Sequence, residues 1–254
     1  MDYLGEVGAG KVYWERDREP FTFMAPYPWR SSWQSDIDLT GEQRPQSVYR
    51  QIMWGDTARS GIYTTHPCHY GEAFHGSGWH WPDVMDSWTF EEQYLGKPVR
   101  TEVYGAGDEA EFFLNGESLG CVPFEKLKAA MDIPYQPGEL EAVVLRDGKE
   151  ISRCGLKTAG RTVRFSVVAE EKWIAADGRD LGYLRILAED ASGIRCVEET
   201  CEVTAQVEGS GSFVSMGSGN PCTEDQITEA RCHLYRGSAI VIVKGTAPGT
   251  VRVK

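Results

Sequence analysis

The sequence predicts a mainly β protein in which two β-sandwich domains follow a single strand-loop-helix unit. Between Lys97 and Lys254, short apolar segments with alternating polarity are separated by turn residues, which is typical of antiparallel sheets. The pairs Asn115-Gly116 and Asp147-Gly148 lie between such segments, and both accept the positive φ of a tight hairpin turn. One strand with one helix cannot form a layered α/β domain alone, so the later strands set the fold class.

Residues 1–60 are predicted to contain one strand, one loop and one helix. The stretch DYLGE at residues 2–6 predicts a short buried strand, and the loop that follows it is rich in aromatic residues. The stretch QSVYRQIMW at residues 46–54 predicts the helix. Residues 61–95 are rich in His, Trp, Gly and Pro and have little periodicity, so we expect a long irregular connector there with one or two strands.

The two sandwich domains are predicted at residues 96–158 and 159–254. In the first, the stretches VRTEVYG, EAEFFLNGESLG and ELEAVVL are strand signals, and Pro137-Gly138 marks a further turn. A boundary is expected at residues 158–160. Beyond it, short alternating strands with regularly placed turn residues predict an immunoglobulin-like sandwich.

The composition of the 254 residues restricts the partners and the compartment. The formal net charge is −12 and the isoelectric point is about 4.9, which argues against nucleic acid or an anionic membrane as a partner. No apolar run approaches the roughly 18 residues of a membrane span. The first residues lack the basic segment of a secretory signal, so none is predicted. The seven cysteines are irregularly spaced, which favours buried or half-buried free thiols in the cytoplasm.

The residue types that bind metals are concentrated between residues 66 and 83. The stretch HPCH at residues 66–69 places His and Cys side by side, but zinc sites usually have two matched ligand pairs. Two glycine-rich stretches, GAGDEA and GSGSF, precede no predicted helix and are not expected to hold phosphate. We therefore predict no metal and no cofactor.

Several longer stretches occur in one consistent order along the chain. They are DYLGE, WRSSWQSDIDLTGEQRPQSVYRQIMW, VRTEVYGAGDEAEFFLNGESLG, YQPGELEAVVLRDGKEI, LKTAG, IAADGRDLGYLRILAEDASG, GSGNP and YRGSAIVIVKG. Together they resemble the C-terminal portion of glycoside hydrolase family 2 enzymes of the β-galactosidase type. The first two are similar to the last strand and the final loop and helix of the family's (β/α)8 barrel. The next three resemble the sandwich after the barrel, and the last three resemble the terminal immunoglobulin-like domain.

The resemblance implies a parent enzyme that hydrolyses terminal β-glycosides with retention. β-Galactosides are the first expected substrates, with β-glucuronides and β-mannosides as alternatives. Such enzymes need two carboxylates about 5–5.5 Å apart. In the family these carboxylates lie on barrel strands four and seven, upstream of the strand that begins this sequence. No residue here matches either position, so we predict no catalytic residue and no activity for this chain alone.

Three residues are candidates for the rim of the sugar pocket in the intact parent. Glu6 follows the predicted barrel strand at the end where barrel active sites are built, and Trp29 and Trp33 are aromatic rings that stack well on sugars. A structural turn acid is the competing interpretation for Glu6. For the two tryptophans, packing of the barrel against the next domain is the competing interpretation.

The expected partners are carbohydrate, in the intact parent, and the remainder of the barrel, either in the same polypeptide or on another chain. Oligomer contacts are compatible with this assignment. Two rival hypotheses are a free-standing carbohydrate-binding or adhesion module and one subunit of a split glycosidase. The sequence leaves open the sugar, the linkage, the oligomeric state, and whether Met1 is the true start.

Overall fold

The computed structural model describes residues 27–33, 35–72 and 81–254. In this part of the chain the protein is mainly β, as predicted from the sequence, and it forms two compact units. Of the described residues, the first unit takes in those up to Asp38 and those within Gln43–Thr158, and the second takes in Leu39–Glu42 and Ala159–Lys254. The predicted strand at residues 2–6 lies outside the described residues, and the predicted four-part division stays a prediction.

The described residues contain one α-helix and fifteen strands. The elements of the first unit are α1 (Pro45–Met53), β1 (Gly61–Thr64), β2 (Pro98–Tyr104), β3 (Glu109–Leu114), β4 (Glu117–Pro123), β5 (Lys128–Pro134), β6 (Glu139–Arg146) and β7 (Lys149–Lys157). Those of the second are β8 (Arg164–Ala169), β9 (Leu181–Glu189), β10 (Glu202–Thr204), β11 (Val207–Gly209), β12 (Gly211–Gly217), β13 (Arg231–His233), β14 (Ser238–Gly245) and β15 (Val251–Val253).

The first unit is a sandwich of two antiparallel sheets. One sheet has the strand order β1-β2-β5 and the other has the order β4-β3-β6-β7. Apolar side chains from the inner faces of both sheets form one buried core. They include Ile62, Val99, Val103, Ala129 and Ile133 from the first sheet, and Ala110, Phe112, Leu114, Leu140, Ala142 and Val144 from the second.

Part of the segment predicted as a connector contributes to this sandwich. Strand β1 pairs with β2, and the rings of Trp88 and Phe90 lie in the core beside Tyr135. The Trp88 indole donates to the Gln136 carbonyl with an Nε1–O distance of 2.9 Å. The backbone N–H of Phe90 donates to the Tyr135 hydroxyl at 3.1 Å. Side-chain hydrogen bonds therefore anchor a segment that has no regular strand around Trp88.

Two of the predicted hairpin turns are confirmed. Asn115 and Gly116 have φ values of 53° and 83° between β3 and β4, and Asp147 and Gly148 have φ values of 50° and 68° between β6 and β7. These are the positive φ values that a type I′ turn requires at both central residues.

The predicted helix is present as α1, one residue earlier at each end than predicted. Pro45 occupies its first turn, where the missing N–H costs no hydrogen bond. Val48 and Ile52 are buried against Tyr63 and Tyr104, on the face of the β1-β2-β5 sheet opposite the sandwich core. Among the described residues, no helix has the length and apolar character to cross a membrane.

The second unit contains a four-stranded sheet, β12-β14-β9-β8, and two ribbons, β10-β13 and β11-β15. All of the pairs are antiparallel. The core is centred on Ile186, Ala188, Met216 and Val241, with further residues of β14. The predicted short alternating strands are therefore present, while the immunoglobulin-like character stays a prediction.

Glu42 carries a charged network within the second unit. Its carboxylate pairs with Arg185, with an Oε1–Nη1 distance of 3.0 Å, and with Arg195 at 3.1 Å. The hydroxyl of Ser238 donates to the same oxygen at 3.2 Å. Because both guanidinium groups are largely buried, each needs a nearby carboxylate to offset its lost hydration.

The cysteines differ from the prediction in their exposure. Cys196 and Cys232 are buried and Cys154 is intermediate, as expected for free thiols. The other four, Cys68, Cys121, Cys201 and Cys222, are exposed, so burial was predicted wrongly for them. Hydrophobic periodicity does not predict whether these side chains are buried. Cys201 and Cys222 lie in loops and Cys121 lies in the edge strand β4, where the sequence is compatible with a buried or an exposed thiol. The cytoplasmic location stays a prediction.

Candidate functional site

A cavity of about 620 Å³ opens in the first unit over the outer face of the β1-β2-β5 sheet. Successive strand residues point to opposite faces. Arg100, Glu102 and Tyr104 of β2 therefore line this cavity, while Val99 and Val103 of the same strand face the core. The volume is within the range of small-ligand sites.

The floor of the cavity contains a buried carboxylate with two partners. Glu102 is 6% exposed. It accepts a hydrogen bond from the Tyr104 hydroxyl at 3.0 Å and one from Lys128 Nζ at 3.2 Å. Burial, with the Glu102 charge next in size, raises the pKa of Tyr104 well above its usual value. The phenol therefore stays protonated at neutral pH and continues to donate to Glu102.

Aromatic side chains form the walls of the cavity. Tyr49 of α1 and Trp81 meet edge to face with their ring centroids 5.2 Å apart. Both rings also contact Tyr104, with centroid distances of 5.5 Å from Tyr49 and 5.9 Å from Trp81. Edge-to-face contacts of this kind stabilise aromatic clusters beyond area burial, so the three rings have fixed orientations.

The β4–β5 turn forms the rim, and its backbone conformation is costly. Lys126 and Leu127 have φ values of 49° and 65°. Two backbone hydrogen bonds between Glu125 and Lys128, of 2.8 and 3.0 Å, close the turn. An ordinary residue in this left-handed region costs roughly 1–2 kcal/mol. The Tyr49 hydroxyl donates to the Lys126 carbonyl at 2.7 Å, which helps to hold the turn in place.

We expect Lys126→Gly to raise the free energy of unfolding by about 0.5–1 kcal/mol, because glycine removes the left-handed strain at a smaller entropic cost. Urea unfolding followed by far-ultraviolet circular dichroism measures the change. Lys149→Gly is the matched control, because Lys149 is not among the residues with positive φ. This substitution should lower the free energy of unfolding by about 0.5–1 kcal/mol. A similar loss in both variants would contradict the strain assigned to the turn.

None of the three residues predicted for the rim of a sugar pocket is among the described residues that line this cavity. Glu6 is outside the described residues. Trp29 and Trp33 lie in the loop before α1 and are 9% and 8% exposed, respectively. Neither lines the cavity over the sheet. Their role at a sugar pocket therefore stays a prediction.

The loop that carries these tryptophans is held by side chains at the start of α1. Gln46 is fully buried, and its Nε2 donates to the carbonyls of Trp33 and Ser35, both at 2.7 Å. Arg44 donates to the Ser32 carbonyl at 2.7 Å, and its guanidinium carbon lies 4.9 Å from the Trp33 ring centroid. These contacts fix the backbone of the loop and the indole of Trp33.

The His and Cys side chains at residues 66–69 make local structural contacts. His66 Nδ1 accepts from the Cys68 N–H at 3.2 Å and so caps the short 3₁₀ helix Pro67–His69. Burial lowers the pKa of His66, with Glu91 acting in the opposite direction. His69 Nδ1 lies 3.2 Å from Asp83 Oδ2. Within residues 27–33, 35–72 and 81–254, no group of three His, Cys, Asp or Glu side chains could hold a metal ion.

Comparison with known proteins finds similarity for parts of both units. Residues 165–254 match the model of glycoside hydrolase family 2 C-terminal domain 5. Residues 96–152 match a domain of unknown function, DUF4982. A solved structure of a family 2 member from Bacteroides cellulosilyticus is 31% identical and covers 99% of this chain and 33% of its own, with a TM-score of 0.84. The chain corresponds to the C-terminal portion of glycoside hydrolase family 2 enzymes.

Two further proteins are similar over most of this chain. The β-galactosidase BoGH2A of Bacteroides ovatus is 23% identical over 90% of this chain and 25% of its own length. A β-glycosidase from Bacteroides vulgatus, 20% identical, covers 92% of this chain and 28% of its own with a TM-score of 0.75, which supports the fold. The chain thus spans between a quarter and a third of these three relatives.

The cavity over the sheet was not predicted from the sequence. The alternation in VRTEVYG does place Arg100, Glu102 and Tyr104 on one face, so a shared polar surface could have been inferred from that pattern. Tyr49 and Trp81 are distant in the sequence, and no local pattern brings them to this face.

Proposed function

We propose that this chain is the C-terminal accessory region of a family 2 glycosidase that hydrolyses terminal β-glycosides with retention. The observation that carries the proposal is the match of residues 165–254 to a family 2 C-terminal domain. β-Galactosides are the first proposed substrates, since the B. ovatus relative bears the name β-galactosidase. β-Glucuronides and β-mannosides are the alternatives.

In this proposal the chemistry belongs to the barrel. Retaining hydrolysis needs one carboxylate as nucleophile and a second as acid and base, and the family resemblance assigns both to strands upstream of this sequence. The proposal gives Glu102, the buried carboxylate of the described cavity, a structural role in which it pairs with Lys128 and Tyr104. Carbohydrate and the remaining barrel, in the same polypeptide or on another chain, are the proposed partners.

Purified chain is expected to hydrolyse 4-nitrophenyl β-galactoside, β-glucuronide and β-mannoside no faster than a heat-inactivated sample. Release of 4-nitrophenol measures the rate. Co-expression with the polypeptide encoded immediately upstream should produce β-glycosidase activity in the purified complex or the continuous product. Turnover by the chain alone would overturn its non-catalytic role, and failure of the combined protein on all three substrates would overturn the proposed substrate class.

A free-standing carbohydrate-binding module is the second candidate function. The observation that favours it is the aromatic and polar lining of the cavity over the β1-β2-β5 sheet. A binding module predicts saccharide affinity without any requirement for barrel residues. A split glycosidase subunit instead predicts that activity depends on a second polypeptide.

A further inference from the structure

We propose that the cavity over the β1-β2-β5 sheet is a binding site for a neutral oligosaccharide. The inference rests on the second candidate function given above and deepens it by naming the ligand class. Binding at this cavity needs no hydrolysis and no barrel carboxylate. It rests on three features of the described residues: a fixed aromatic wall, a mixed set of charges, and a volume of about 620 Å³.

Trp81 supplies the apolar surface. Trp81 is partly exposed and lines the cavity, and its ring makes edge contacts with Tyr49 and Tyr104. The guanidinium carbon of Arg50 lies 5.9 Å from the centroid of the same ring, so the surface proposed to stack on the CH groups of a pyranose ring is the part of the indole that lines the cavity. Little conformational entropy is lost on binding, because the ring is already ordered in the free protein.

The charges around the cavity favour a neutral ligand. The lining includes three cationic side chains, Arg100, Lys126 and Lys128, and two anionic ones, Glu102 and Glu125. Neither sign dominates, so an ion gains little net attraction. A hydroxyl both donates and accepts hydrogen bonds, and a polyol can therefore use both kinds of side chain.

The floor residues are placed to meet such hydroxyls. The side chains of Arg100 and Lys128 are 44% and 41% exposed, and each pairs with a carboxylate, Asp132 at 3.3 Å and Glu102 at 3.2 Å. Guanidinium and ammonium groups carry several N–H donors each, so donors remain for a ligand after these pairs form. The carboxylate of Glu102 orients Lys128 from the buried side.

A smaller cavity in the second unit provides an internal comparison. Its volume is about 360 Å³, and its lining includes Trp173, Tyr183, Glu171 and Lys172. Trp173 is 86% exposed, whereas Trp81 is only partly exposed and contacts the rings of Tyr49 and Tyr104. The two tryptophans therefore allow the same substitution to be made at each cavity.

Isothermal titration calorimetry of the full chain tests the proposal, with lactose and cellobiose as neutral probes and a glucuronic-acid-terminated disaccharide as the anionic probe. We expect the neutral disaccharides to bind. Trp81→Ala should weaken that binding about tenfold, and Arg100→Gln should weaken it severalfold. Trp173→Ala is the matched control and should leave it unchanged. Arg100→Gln alters an exposed head group, so it remains informative if Trp81→Ala does not fold.

Two results would overturn the proposal. One is the absence of binding by any neutral probe, and the other is loss of binding in Trp173→Ala with retention in both cavity variants. Tighter binding of the anionic probe would overturn the neutral ligand class. The titration measures binding without hydrolysis, so its outcome is separate from the activity assays that test the proposed function.

Discussion

Replacement of Trp88 by alanine is expected to lower the free energy of unfolding of the first unit by about 3–5 kcal/mol. The indole is fully buried, with 0% of its surface exposed. It contacts the rings of Phe90 and Tyr135, with centroid distances of 6.0 and 5.2 Å. Its removal leaves a cavity in the core and also leaves the Gln136 carbonyl without the 2.9 Å hydrogen bond from Nε1. Domain stabilities are typically about 5–15 kcal/mol, so the loss is a large fraction of the total.

Urea unfolding followed by far-ultraviolet circular dichroism measures this effect. Trp173→Ala is the matched control, because that indole is 86% exposed and its removal should change stability by about 0.5 kcal/mol or less. Trp88→Phe should fall between the wild type and Trp88→Ala, since it keeps a ring but loses the Nε1 donor. Equal stability of the two alanine variants would show that Trp88 is not a core residue.

Gly138→Ala should destabilise the first unit by about 2–5 kcal/mol, from the combined cost of backbone strain and overpacking. Gly138 has a φ of 137°, and a Cβ at this position would overlap Asn115 Oδ1. Asn115 cannot easily move away. Its Oδ1 accepts from the Glu139 N–H at 2.9 Å, and its Nδ2 donates to the Pro137 carbonyl at 3.2 Å.

A second glycine, Gly116, separates the cost of backbone strain from the cost of overpacking. Gly116 has a φ of 83°, and a Cβ added there would meet nothing within 4 Å. Gly116→Ala should therefore cost only about 1–2 kcal/mol. The double variant Asn115→Ala/Gly138→Ala should be less destabilised than the sum of the single variants, because the clash requires both side chains. Additive losses would contradict the steric explanation.

The turns show what local sequence can and cannot predict. Asn115-Gly116 was predictable because both residue types tolerate positive φ without tertiary support. Lys126-Leu127 adopts the same kind of turn, but its residues disfavour that conformation. The hydrogen bond from Tyr49 to the Lys126 carbonyl joins residues far apart in the sequence, and no local pattern contains that information.

The same distinction applies to the core and to the cavity. Strand alternation places Arg100 and Glu102 on one face, so this part of the cavity could have been inferred from the sequence. The burial of Trp88 was not predicted, because its segment has no period of two and is held by side-chain hydrogen bonds instead. The cavity wall at Trp81 likewise depends on a non-local contact with α1.

The network around Glu42 has a practical consequence for dividing this chain. The family match begins at residue 165, and a separately expressed C-terminal domain would naturally begin at Ala159. Such a product would omit the carboxylate that pairs with Arg185 and Arg195, and largely buried guanidinium groups are costly when a partner is removed. The second unit is therefore discontinuous in sequence. Residues 39–42 are needed together with residues 159–254 to supply the carboxylate that pairs with both arginines.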